Sequence, residues 1–114
     1  MMAKSKHRNK PVVVDCKRFD SQAEAVRYSE LKLMMAAGVI SDLRLQVPFV
    51  LAPGVRLVGA SRATPALRYF ADFVYRKRDG SVIIEDVKGM LTAAYKIKRH
   101  LMALQGHHIT EIKA

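Results

Sequence analysis

Apolar and polar positions change their period several times along this chain, and each change marks an element. Val12 to Phe19 is rich in β-branched residues and predicts a short strand or hairpin turning near Asp15-Cys16. In DSQAEAVRYSELKLMMAAG the apolar positions Ala25, Tyr28, Leu31 and Met35 recur at helical spacing, broadened by Leu33 and Met34. Ser21 followed by Glu24 forms a capping box, in which each side chain satisfies a free backbone N–H of the first turn. Gly38 stands where a left-handed C-terminal cap is needed. From Leu43 the period drops to two (Leu43, Leu45, Val47), which predicts a strand reaching Leu51. Pro48 places that strand at a sheet edge or a bulge, because proline has no N–H for the ladder.

Residues 52–65, with Pro53, Gly54, Gly59 and Pro65, read as a loop or irregular hairpin. Leu67 to Arg76 and Ser81 to Lys88 form a strand pair that turns at Arg78-Asp79-Gly80, a strong hairpin signal. Thr92 caps a second helix that runs to about Gln105 and stops at Gly106. Residues 107–113 (HHITEIK) alternate again as a last short strand. The pattern predicts one mixed α/β (α+β) domain over residues 12–114, preceded by a basic flexible arm over 1–11.

Charge sharpens this picture. The chain has 20 Lys+Arg against 10 Asp+Glu, a formal +10, which favours a polyanionic partner, nucleic acid ahead of anionic membrane. No apolar run approaches the ~20 residues of a spanning helix, and no apolar stretch follows the basic N-terminus to make a secretory signal. A single cysteine, Cys16, excludes an intramolecular disulfide and fits a reducing, cytoplasmic setting. With no activating pair in view, Cys16 reads as a small apolar filler.

The chemistry lies in the strand pair. Asp86 and Lys88 are two apart on one strand and share a face, and the hairpin partner brings Asp72 alongside. A solvated strand end would explain Asp86 and Lys88 simply. Asp72 tilts the reading, because a carboxylate among Tyr69, Phe70, Phe73 and Val74 on an inner strand needs a partner or a metal. Asp72 and Asp86 offer Mg2+ the hard oxygen ligands it prefers, the backbone carbonyl of Val87 offers a third, and Mn2+ should substitute. Lys88 would orient the attacking water or stabilise charge building at phosphorus. Glu85 points to the opposite face of a regular strand. Glu24 has a sufficient role in its cap and a second possible one as a third carboxylate for metal. On the second helix Lys96 and Arg99 share a face, as do Tyr95 and Lys98, and with His100 they make either a phosphate-contacting surface or an ordinary solvated one. His107 and His108 face opposite ways, and the chain lacks both a spaced Cys/His set and a Walker-type loop.

An acidic residue on the first helix, an Asp on a strand and a D-x-K on the next resemble the PD-(D/E)XK nucleases. That superfamily includes many restriction endonucleases, lambda-type exonuclease and the archaeal Holliday-junction resolvases. More closely, FDSQAEAVRYSELKLMMAAGVISDLRLQ and YFADFVYRKRDGSVIIEDVKGMLTAAYKIKRHL are similar to a family of small phage and prophage proteins assigned to this fold as endonucleases. The resemblance covers nearly everything from Val12, and EDVKG followed by T-x-x-Y-K-x-K is its most specific part. It implies a restriction-endonuclease-like αβββαβ core, a mixed central sheet flanked by two helices. It also implies Glu24, Asp72 and Asp86 as metal-site acids, Lys88 as catalytic lysine, and Tyr95, Lys96 and Lys98 as DNA or supporting contacts. Ala71 stands where the superfamily name has proline, a residue often absent there.

The expected activity is thus a Mg2+-dependent DNA endonuclease, acting as a homodimer on branched DNA such as a Holliday junction. Its rivals are a non-catalytic basic nucleic-acid-binding protein that retains the fold, and a small RNA-binding or ribosome-associated protein.

Overall fold

The computed structural model describes residues 10–114, so the expected arm lies outside the described residues except for Lys10 and Pro11, both exposed. Strands β1 (Val12–Val14) and β2 (Lys17–Phe19) pair antiparallel. They are joined by Asp15 and Cys16, both at positive φ (53° and 63°) as the tightest hairpin turn requires. Cys16 is therefore an exposed turn residue, not the apolar filler its isolation suggested.

Helix α1 (Gln22–Ala36) begins where Ser21 Oγ accepts the Glu24 N–H at 3.2 Å. It ends in a Schellman motif, with Gly38 N–H donating to Met35 O, Val39 N–H to Met34 O, and Gly38 at φ 76°. Ala25, Tyr28 and Leu31 are buried and Met34 and Met35 half-buried, whereas Leu33 points to solvent (72% exposed). The stripe is thus narrower than the run of apolar letters.

The main sheet contains β3 (Ile40–Ala52), β4 (Leu67–Lys77), β5 (Val82–Lys88) and β6 (Ile109–Lys113), in the order β3-β4-β5-β6. The first three strands are antiparallel, and β6 runs parallel to β5 after crossing over through α2 (Ala93–Leu104). The result is a mixed α+β architecture with a four-stranded mixed sheet and two helices. Pro48 sits on β3, the edge strand, opposite Phe70. Thr92 Oγ1 accepts the Tyr95 N–H to cap α2, and Gly106 at φ 87° closes it.

The two helices cover two different cores. Around α1 lie Phe19, Ile40, Phe73 and Tyr75. Around Tyr95 and Met102 of α2 lie Tyr69, Ala71, Val74, Ile84 and Ile109. The long β3–β4 hairpin passes from one core to the other. On β3, Leu43 and Leu45 pack in the first core, but Val47, Phe49 and Leu51 pack in the second. On β4, Phe73 and Tyr75 belong to the first, Ala71 and Tyr69 to the second. The change of side falls at Gln46, held at φ 50°, and at Asp72 facing it between the pairs Leu45↔Phe73 and Val47↔Ala71. The acidic centre is built on that switch.

Candidate active site

Pairing between β4 and β5 ends at Phe73↔Glu85. The next position would set Asp72 against Asp86, and there the ladder is replaced by side-chain chemistry. Asp72 Oδ2 accepts the Val87 N–H at 2.8 Å, supplying the bond that β4 no longer makes. A residue's N–H and C=O leave a strand by the same edge, so the Val87 carbonyl also turns toward β4. Lys88, one residue on, has its carbonyl on the β6 side, accepting from Ala114 N–H at 3.1 Å.

Asp86 is 4% exposed, and Lys88 Nζ lies 3.2 Å from its Oδ2. Burial pushes its carboxyl up to about 7; the hydrogen bond and charge of Asp72 add to the rise, and Lys88 opposes it. Burial raises Asp72 too, countered by hydrogen bonds from Asp86 and the Val87 N–H. The two acids behave as a pair that cannot comfortably ionise together. Glu24, also buried, has its carboxyl raised by burial and then by the charges of Asp20 and Asp86, while a hydrogen bond with Asp72 lowers it.

Gln46 joins the acids. Its Nε2 lies 3.2 Å from Glu24 Oε2 and 3.1 Å from Asp72 Oδ1, an approach that its left-handed backbone makes possible. Glu24 thus keeps half of its capping box, the N–H to Ser21, and sends its carboxylate toward the centre. No sequence signal marked Gln46, since a polar residue in an alternating strand reads as solvent-facing. Tyr69 was equally unmarked. Its hydroxyl is the one buried side-chain polar atom among the described residues without a hydrogen bond, and burial together with Asp86 pushes it up.

On α2, Tyr95 is turned inward, onto Lys88 and Glu111. It is buried, its hydroxyl donates to Glu111 Oε2 at 2.6 Å, and Lys88 Nζ sits 4.1 Å from its ring centroid. Arg99 is pinned to Glu111 at 2.8 Å, and those two partners hold the Glu111 carboxyl below its usual range, Tyr95 most strongly. Lys96 is fully on the surface and Lys98 half-buried. Lys88 is therefore held between a carboxylate and an aromatic face, with its ammonium aimed at the acid pair.

Glu85 points away, as alternation requires. It is 1% exposed and accepts from Arg27 Nε at 2.9 Å, Arg27 Nη2 at 2.7 Å and the Tyr75 hydroxyl. It fastens α1 to the sheet and takes no part in the acidic centre. His107 packs edge-on against Phe49, and His108 is exposed.

No set of three His, Cys, Asp or Glu side chains among the described residues is arranged to hold a metal ion by itself. The donors that fit a hard cation are two adjacent carboxylates and a strand-edge carbonyl, with further positions left to water and substrate oxygens. No helix among the described residues is long and apolar enough to cross a membrane. No curated protein and no solved structure matches the chain. The model of a family described as protein of unknown function, DUF1064, matches residues 4–113, and the chain belongs to that family.

Proposed function

We propose that the chain is a divalent-metal-dependent DNA endonuclease of the restriction-endonuclease-like, PD-(D/E)XK kind. The observation that carries the reading is the pair of buried Asp86 and half-buried Asp72 with Lys88 beside it, at the point where β4 and β5 part. Such a pair is costly without a cation to neutralise it. A bound Mg2+, or Mn2+ in its place, would neutralise charge on the phosphate and lower the pKa of an attacking water. Asp72, Asp86 and the Val87 carbonyl would hold it, with Glu24 and Gln46 orienting Asp72. Lys88 would offer its ammonium to the charge developing at phosphorus. The Tyr95 ring keeps that ammonium in place. The basic surface supplies phosphate contacts that weaken with salt. A homodimer presenting two such centres to branched DNA in the cytoplasm is the setting this reading favours.

The Lys88–Asp86 ion pair is also what a non-catalytic binder would use to neutralise a vestigial acid. Labelled four-way-junction and linear duplex DNA separate the two readings. Wild type is expected to cut in Mg2+ and not in chelator, the junction before the duplex. Asp72→Ala and Asp86→Ala are expected to bind DNA as well as wild type and cut at least about a thousandfold more slowly. Binding without cutting by wild type in every divalent metal would favour the binder.

A further inference from the structure

Beyond the acidic centre the β3–β4 hairpin continues to a loop that carries apolar side chains into solvent. Leu57 is 58% exposed and Val58 fully so. Their exposure is fixed by the backbone. Thr64 N–H donates to Val55 O at 2.7 Å and Val55 N–H to Thr64 Oγ1 at 2.9 Å, closing the loop's neck. A Cβ on Gly54 would meet the Thr64 carbonyl oxygen at 2.0 Å, so only glycine permits that closure. At the apex Ala60 N–H donates to Leu57 O, with Gly59 at φ 84° where a type II turn demands it. Arg56 Nε bonds back to Ala60 O at 3.1 Å.

The surroundings select the occupant. From Leu43 to Ala71 there is no Asp, Glu or Lys and there are four arginines: Arg44, Arg56, Arg62 and Arg68. A second copy would bring like charge against like charge. Phe70 is half-exposed and Arg68 exposed, two and four residues along β4 from Asp72 in the direction of the tip. Leu67, where the loop rejoins β4, is five residues from Asp72, about 17 Å along the strand. That is the rise of roughly five base pairs.

We propose that this tip is a DNA wedge. Leu57 and Val58, further out than Leu67, enter an unstacked step or branch point more than about five base pairs from the scissile phosphate, Phe70 stacks on a base between them, and Arg56, Arg62 and Arg68 hold the phosphates. A branched substrate suits it, because its unstacking cost is already met at the branch. The inference rests on DNA being the substrate of the Asp72–Asp86 centre, but it does not require cutting.

The test uses the full chain carrying Asp86→Asn, in chelator, with four-way junctions bearing 2-aminopurine at successive positions from the branch. Fluorescence is expected to rise at one position, and adding Leu57→Ser/Val58→Ser should remove the rise. Phe70→Ala should weaken binding at least about fivefold. Arg56→Ala/Arg62→Ala/Arg68→Ala should lower the slope of log K against log salt by about 3. Unchanged fluorescence and affinity in the tip variant would overturn the proposal. So would tip-dependent binding to phosphatidylserine vesicles without a fluorescence rise, or a dimer dissociated by the tip changes with fluorescence intact. A tip-dependent rise by a wild-type chain that never cuts would sink the nuclease reading and leave the wedge standing.

Discussion

Arg27→Ala should lower the free energy of unfolding by about 3–5 kcal/mol, which equilibrium urea unfolding would measure. The size follows from what remains behind. Arg27 meets both oxygens of Glu85, and Glu85 is 1% exposed on the sheet face under α1. Without the guanidinium, a carboxylate is left there with the Tyr75 hydroxyl as its remaining partner. Small domains have about 5–15 kcal/mol in all, so one substitution removes a large share. Replacing both charges, by Arg27→Met with Glu85→Gln, should recover much of the loss, because the amide carbonyl still accepts from Tyr75. An Arg27→Ala protein as stable as wild type would mean that the pair does not anchor α1.

Asp86→Asn should act in the opposite direction on stability while abolishing cutting. The Asp86 carboxyl has an ordinary value of 3.8 and stands at about 7 in the folded chain. The folded state therefore holds a proton that the unfolded state has released between those values. Stability linked to this group is complete below about pH 4 and is lost as pH rises toward 7. Asparagine does not ionise, so in chelator the variant should gain on wild type as pH rises from 5 to 8. The gain should be on the order of 2 kcal/mol, discounted from the full shift because solvent and Lys88 relax around the charge. Urea unfolding at the two pH values measures it. Equal stability of the two proteins at pH 8 would show that Asp86 ionises there without strain.

Much of the fold was legible because its boundaries are written in single residues. Ser21, Gly38, Thr92, Gly106 and Asp79-Gly80 act through local backbone chemistry, and all stand where the elements begin, end or turn. Asp86, Lys88 and the opposing Asp72 were legible for a similar reason, since strand alternation and one hairpin register suffice to bring them together. What could not be read depends on contacts between distant elements. Alternation implied one continuous apolar face on β3, yet Leu45 and Val47 serve different cores, because the hairpin must cover α1 at one end and α2 at the other. That demand holds Gln46 in a left-handed conformation, and only then does its amide reach Glu24 and Asp72. Tyr95 carried a helix-surface pattern but is drawn inward by Glu111 on β6, a parallel neighbour no local signal could assign. The Arg27–Glu85 bond spans 58 residues of chain and leaves no trace in either segment.

The acid pair as a divalent-metal centre is tested most directly by the unfolding temperature at pH 8 during a Mn2+ titration, with ionic strength held constant. Wild type is expected to rise with Mn2+ and to go on rising with the logarithm of its concentration above the dissociation constant, since a ligand at free concentration L bound by the folded chain alone stabilises it by RT ln(1 + L/Kd). Asp86→Asn, more stable than wild type at the start, should not respond. A wild-type chain indifferent to Mn2+, or an Asp86→Asn chain that responds equally, would contradict the account.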